Sequence, residues 1–162
     1  MLHITLSEAE CSIARFIGEK RREISLRYQR DTRRDFTNNG LENDIESTAA
    51  ELAVAKLLNI YPEWSPTPGK VPKFDLLWRG NRVDVKNTDR EDGNLLIPFL
   101  DESLIYFLVC GKMPRKNIGG CLSGDLVPSR GRWREDLPHQ PCWFVPADRL
   151  NKLKEGGSDI RG

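Results

Sequence analysis

The chain has few of the residues that usually build metal or redox sites: of 162 residues, four are cysteine and two are histidine. Cys11, Cys110, Cys121 and Cys142 are far apart, and none belongs to a CxxC pair. With only His3 and His139 as further ligands, that spacing does not fit a structural zinc site. The expectation is four reduced, mostly buried thiols. No apolar run reaches the length of about 18 residues that a transmembrane helix needs. Met1-Leu2-His3-Ile4-Thr5 turns charged without the basic flank and apolar stretch of a secretory signal, which predicts a cytoplasmic protein with no membrane partner. Charge of one sign is also missing. Twenty-five Lys+Arg stand against 24 Asp+Glu, a net charge of +1, which excludes a polybasic protein. A nucleic-acid partner then requires charge segregated on the surface. Gly69-Lys70 lacks the upstream glycine and following Ser/Thr of a phosphate loop. There are no internal repeats and no low-complexity tract.

What remains is a globular composition, 38% hydrophobic and 30% charged, in a chain long enough for one core without staples. Residues 7–30 read as a helix, with Ser7 and Glu10 in the capping-box spacing and Ile13, Phe16, Ile17, Ile24 and Tyr28 giving partial helical periodicity. Residues 37–43 are a loop by composition. A second helix, about 45–59, is apolar almost all round and should be buried. Residues 61–73 carry Pro62, Pro66, Pro68 and Pro72 and form a stiff loop. Strands are predicted at 74–79, 82–88, 95–100, 104–110, 121–127 and 142–145. Residues 112–117 read as a basic loop, 128–141 as a Pro- and Arg-bearing loop, 147–154 as a short helix and 155–162 as a fraying tail. The organisation expected is an N-terminal helical arm (1–43), an α/β core (44–154) and the tail.

The informative part is the hairpin. With Gly80-Asn81 as its turn, Asp75 faces Lys86, Leu77 faces Asp84 and Arg79 faces Arg82. Asp75, Asp84 and Lys86 then share one face. Phe74, Leu76, Trp78, Val83 and Val85 form the other, apolar face. Glu51 is the only charge between Thr48 and Lys56 and shares a helix face with Val54, Ala55 and Leu58. A carboxylate on such a stripe needs a partner, either a cation or a base such as Arg82. Glu46 lies five residues earlier, roughly 140° around the helix, and suits the helix start, where the dipole favours an acid. Three acids and a lysine make an oxygen-donor set for Mg²⁺ or Mn²⁺. In the bland alternative, Asp84 and Lys86 are solvent-facing and Asp75 makes a surface ion pair worth little.

Asp75, eight residues, then Asp84-Val85-Lys86, preceded by the helix Glu51-Leu52-Ala53-Val54-Ala55-Lys56-Leu57-Leu58, resembles the PD-(D/E)xK nuclease superfamily. Asn87-Thr88 after the lysine is also similar to many members. The trailing pattern resembles small phage and mobile-element nucleases. Phe74 stands where the motif's proline would be, with Pro72 two residues further back. The resemblance implies a restriction-endonuclease-like fold, a central mixed β-sheet flanked by helices. It implies a Mg²⁺-dependent (or Mn²⁺-dependent) nuclease hydrolysing DNA phosphodiester bonds. Glu51, Asp75, Asp84 and the Val85 carbonyl would hold the metal, and Lys86 would position the attacking water.

Further basic residues are candidates for nucleic-acid contact: Arg30, Arg33 and Arg34 at and just beyond the end of the first helix, Lys112, Arg115 and Lys116, and Arg132, Trp133 and Arg134. The last three form a basic-aromatic-basic triplet able to hold a strand by stacking and charge; a loop anchor is the alternative for Trp133, a solvated ion-paired face for the first helix. Three other readings stay open. One is a non-catalytic nucleic-acid-binding or assembly protein on the same fold. Another is a homodimeric Holliday-junction resolvase using the N-terminal helix as its dimer element. The third is a structural interaction protein with a solvated acid face.

Overall fold

The computed structural model describes residues 1–27, 38–62, 74–137 and 140–153. Arg30, Arg33, Arg34, His139, most of the proline-rich loop and the tail lie outside the described residues. The fold is mixed α/β. A five-stranded mixed sheet is covered by two helices on one face and by a small three-stranded sheet on the other.

The chain starts with β1 (Leu2–Thr5) and then α1 (Glu8–Arg27). The capping box closes as the sequence predicts: the Ser7 amide donates to Glu10 Oε2 at 2.6 Å and the Glu10 amide to Ser7 Oγ at 3.2 Å. The buried side of α1 is not its most apolar one. Ile13 and Phe16 stay 42% and 58% exposed, whereas Cys11, Ala14, Gly18 and Arg22 are buried. Gly18 in this stripe lets α1 lie close on α2 (Asn38–Leu58). A Cβ on Gly18 would come within 2.7 Å of Ile45 Cα. Gly18→Ala should therefore lower stability by about 1–2 kcal/mol. Overpacking of about 1–3 kcal/mol outweighs the helix-propensity gain of up to ~1 kcal/mol. A urea midpoint that rises instead would contradict the close approach.

α2 begins seven residues earlier than its composition suggests, with Gly40 buried in its first turn. Ala49, Ala50, Ala53, Val54 and Ala55 are fully or almost fully buried, as the apolar pattern predicts.

The large sheet has the order β1-β6-β5-β3-β2, with β2 (Leu76–Trp78), β3 (Asn81–Thr88), β5 (Leu104–Cys110) and β6 (Arg115–Ser123). β3 and β5 run parallel; the other pairs are antiparallel. β5 is the middle strand, which explains its continuous apolar run. The small sheet, order β4-β8-β7, joins β4 (Leu95–Ile97), β8 (Cys142–Val145) and β7 (Arg132–Arg134). A short helix α3 (Val127–Arg130) precedes β7. The expected basic loop 112–117 thus contains the start of a strand, and the expected Arg-bearing loop contains α3 and β7. In place of a helix over 147–154 there is a single 3₁₀ turn at Ala147–Arg149.

The segment expected as an arm is part of this body: β1 pairs with β6, and α1 packs on α2. No described helix is long and apolar enough to cross a membrane. All four cysteines are buried and free.

Candidate functional site

The hairpin turn sits one residue earlier than predicted. Arg79 (φ 48°) and Gly80 (φ 81°) both take left-handed conformations, and Trp78 pairs with Asn81. Two successive positive φ values describe a type I′ turn, whose twist suits a hairpin. The Asn81 amide braces it through the carbonyls of Trp78 and Arg79. Moving a turn by one position moves every partner by two, so the faces are unchanged. Leu77 now opposes Arg82, and Leu76 opposes Val83. Leu76, Trp78, Val83 and Val85 join the helix-side core as expected, but Phe74 packs into the other cluster.

That break in alternation falls at Asp75. Its amide donates to the Val83 carbonyl at 2.8 Å, and its carboxylate accepts from the Val85 amide at 2.6 Å. The Asp75 side chain thus takes a ladder position that a longer β2 would fill. An extended residue turns its N–H and C=O to the same edge, so the Val85 carbonyl also faces this side.

Asp84 and Lys86 alternate with Val83 and Val85 and stand on the face away from the helices. Lys86 Nζ lies 2.6 Å from Asp84 Oδ1. The contact joins two charges without the alignment of a hydrogen bond, and that buried oxygen has no hydrogen-bond partner among the described residues. Glu51 comes from α2 on the helix side, is 4% exposed and receives both Arg21 guanidinium nitrogens, at 2.6 and 2.7 Å. Its partner is thus Arg21 of α1; Arg82 instead donates to Ser103 Oγ.

Asp75 feels the charge of both acids. Burial, then the charges of Glu51 and Asp84, push its carboxyl up from 3.8 to about 7; the Val85 amide and Lys86 offset only part of this. Folded Asp75 therefore keeps its proton over a range in which unfolded aspartate has lost it. The metal-free protein should lose stability as pH rises from 3.8 through about 7 and level off above. Asp75→Asn should flatten that slope in urea midpoints taken across the range; a slope that persists in the variant would contradict the assignment.

Among the described residues no three acidic, histidine or cysteine side chains converge on one point. The geometry explains this: Arg21 holds Glu51, Lys86 draws Asp84, and the Val85 amide holds Asp75. The donor chemistry nonetheless suits a hard divalent cation. The acids are carboxylates, one buried oxygen lacks a donor, and the charge on Asp75 is poorly compensated.

The expected basic surface is only partly present. Lys116 is 0% exposed, with its ammonium bonded to Glu46 Oε2 (2.6 Å), the Gly111 carbonyl (2.8 Å) and Asn87 Oδ1 (3.0 Å). All three donors are used, so it does not reach a phosphate in solvent. Glu46 accordingly lies inside α2, not near its start, and also accepts the Met113 amide. Lys112 is exposed but paired with Glu42 and Asp89, and Arg134 is paired with Asp136. Arg115 is exposed at the start of β6. Trp133 is 46% exposed in β7, edge-on to Trp143, while Arg132 and Arg134 lie over the Phe144 ring.

Arg21 is the site residue that the sequence did not single out. The only signal was indirect: a buried Glu51 demands a counter-charge, but nothing local says which of many basic residues supplies it. Comparison with protein-family models, curated proteins and solved structures gives no significant match, so any functional reading rests on these residues.

Proposed function

We propose that this chain is a metal-dependent nuclease on a restriction-endonuclease-like fold, hydrolysing DNA phosphodiester bonds at the edge of β3. One observation carries the reading. Asp75 accepts the Val85 amide beside Asp84 and Lys86, and burial together with the charges of Glu51 and Asp84 pushes its carboxyl up to about 7. The helix, hairpin and Asp84-Val85-Lys86 order resembles the PD-(D/E)xK pattern and adds the substrate class.

Asp75, Asp84 and the Val85 carbonyl are the groups that would hold Mg²⁺ or Mn²⁺, with Glu51 joining them once released from Arg21. The ion would supply charge for a phosphate oxygen and lower the pKa of a water. Lys86 has the reach and partial exposure to orient that water and to hold charge on the leaving side. The Trp133 edge and its flanking arginines offer a stacking surface for a strand.

The test is cleavage of supercoiled plasmid, linear duplex and single-stranded DNA with Mg²⁺ or Mn²⁺, wild type beside Asp84→Asn. Cleavage that the substitution abolishes supports the reading, and the preferred DNA form sets the class of nuclease. Absence of cleavage on every substrate, with no cation binding by calorimetry, would replace it with a binding or assembly role.

A further inference from the structure

The Arg21–Glu51 pair joins two helices, and Arg21 also feels the charge of Asp75. Glu51 is 4% exposed and Arg21's side chain 35% exposed, so the guanidinium has a path to solvent that the carboxylate lacks. The contact is bidentate, at 2.6 and 2.7 Å, which is the geometry in which arginine holds carboxylates most firmly. Arg21 Nη1 also touches Thr48 Oγ1 at 3.4 Å, one turn before Glu51 on the same helix. Both carboxylate oxygens of Glu51 are therefore already occupied by a cation belonging to the chain.

We propose that Arg21 is an internal counter-cation that competes with a divalent ion for Glu51. This rests on the nuclease reading and adds a regulatory residue to it. With Arg21 in place, Glu51 is a neutralised structural acid and the site has two ligating carboxylates. With the guanidinium swung toward solvent, Glu51 is a third ligand beside Asp75. The pair would thus keep the acids apart and the fold stable before metal arrives. It would also set the cation concentration at which the site fills. A solely structural ion pair makes a different prediction: its loss would destabilise the protein and leave cation affinity unchanged.

The experiment is Mn²⁺ titration by calorimetry, with thermal unfolding at matched Mn²⁺, on the full chain. The proteins are wild type, Arg21→Met, Arg21→Lys and Arg21→Met/Glu51→Gln. The expected result is at least a tenfold lower Mn²⁺ Kd for Arg21→Met. Its unfolding midpoint should be raised by Mn²⁺ more than that of wild type, and the double variant should show neither gain. Arg21→Lys, which keeps a charge but not the bidentate grip, should lie between and serves if Arg21→Met does not fold. Wild type that binds Mn²⁺ with an affinity unchanged or weakened in the Arg21 variants overturns the competition and leaves the nuclease reading intact. Failure of every protein to bind Mn²⁺ overturns both.

Discussion

Lys86→Ala should reduce the turnover of DNA cleavage by roughly 10²- to 10⁴-fold, the range for loss of a group acting on a proton in flight. Cation affinity should stay equal or rise. The reason is electrostatic. Lys86 Nζ is 2.6 Å from Asp84 Oδ1, so removing it leaves that carboxylate without its internal cation. On the proposed reading a divalent ion would then meet less competition, while the reaction would lose the group that orients water. Asp84→Asn should differ: affinity and turnover fall together. Rates measured at saturating Mn²⁺, paired with calorimetry, separate the two. If Lys86→Ala abolishes cation binding, the lysine positions the metal ligands and is not acting on the water.

Breaking the buried Lys116–Glu46 pair should give the largest stability loss of any single substitution considered. Lys116 has no exposed surface, and burial holds its ammonium below the ordinary lysine value even against Glu46. Glu46→Met leaves that ammonium with only the Gly111 carbonyl and Asn87 as acceptors. Removing one partner of a buried pair costs about 3–5 kcal/mol, a large share of a domain's ~5–15 kcal/mol. Lys116→Met should cost a similar amount by stranding Glu46. The double replacement Glu46→Met/Lys116→Met should recover most of the loss, since apolar groups of like volume need no solvation. Denaturant unfolding of the four proteins closes the cycle; losses that simply add would show the groups do not depend on one another. The pair also matters for the site, because Lys116 holds the side chain of Asn87, the residue after Lys86.

Legibility in the sequence followed periodicity and failed where partners came from afar. β5 and β8 were legible because Leu104–Cys110 and Cys142–Val145 are apolar runs with definite ends. β7 was not, since Arg132-Trp133-Arg134 has the composition of a loop and becomes a strand only by pairing with β8. The faces of the hairpin survived a misplaced turn because a two-residue slide preserves side-chain parity. Its register did not, because Gly80-Asn81 and Arg79-Gly80 are both plausible turn pairs and only the observed positive φ at Arg79 decides between them. On α1 the hydrophobic pattern pointed outward at Ile13 and Phe16, while Cys11, Ala14 and Gly18 are buried and Gly18 meets Ile45 of α2. Small residues carry weak hydropathy signals even where they permit the closest packing. Within the site, Glu51, Asp84 and Lys86 were visible as misfits or near-misfits in an apolar pattern. Arg21 and Lys116 were not, because a basic residue looks the same whether it faces water or neutralises a buried acid 30 or 70 positions away.

The most direct test of the central claim is an anomalous difference map from crystals of the wild-type protein grown with Mn²⁺. A peak bounded by the carboxylates of Asp75 and Asp84 and the Val85 carbonyl is the predicted result. Mn²⁺ bound elsewhere in the crystal, with no peak at the edge of β3, would contradict it.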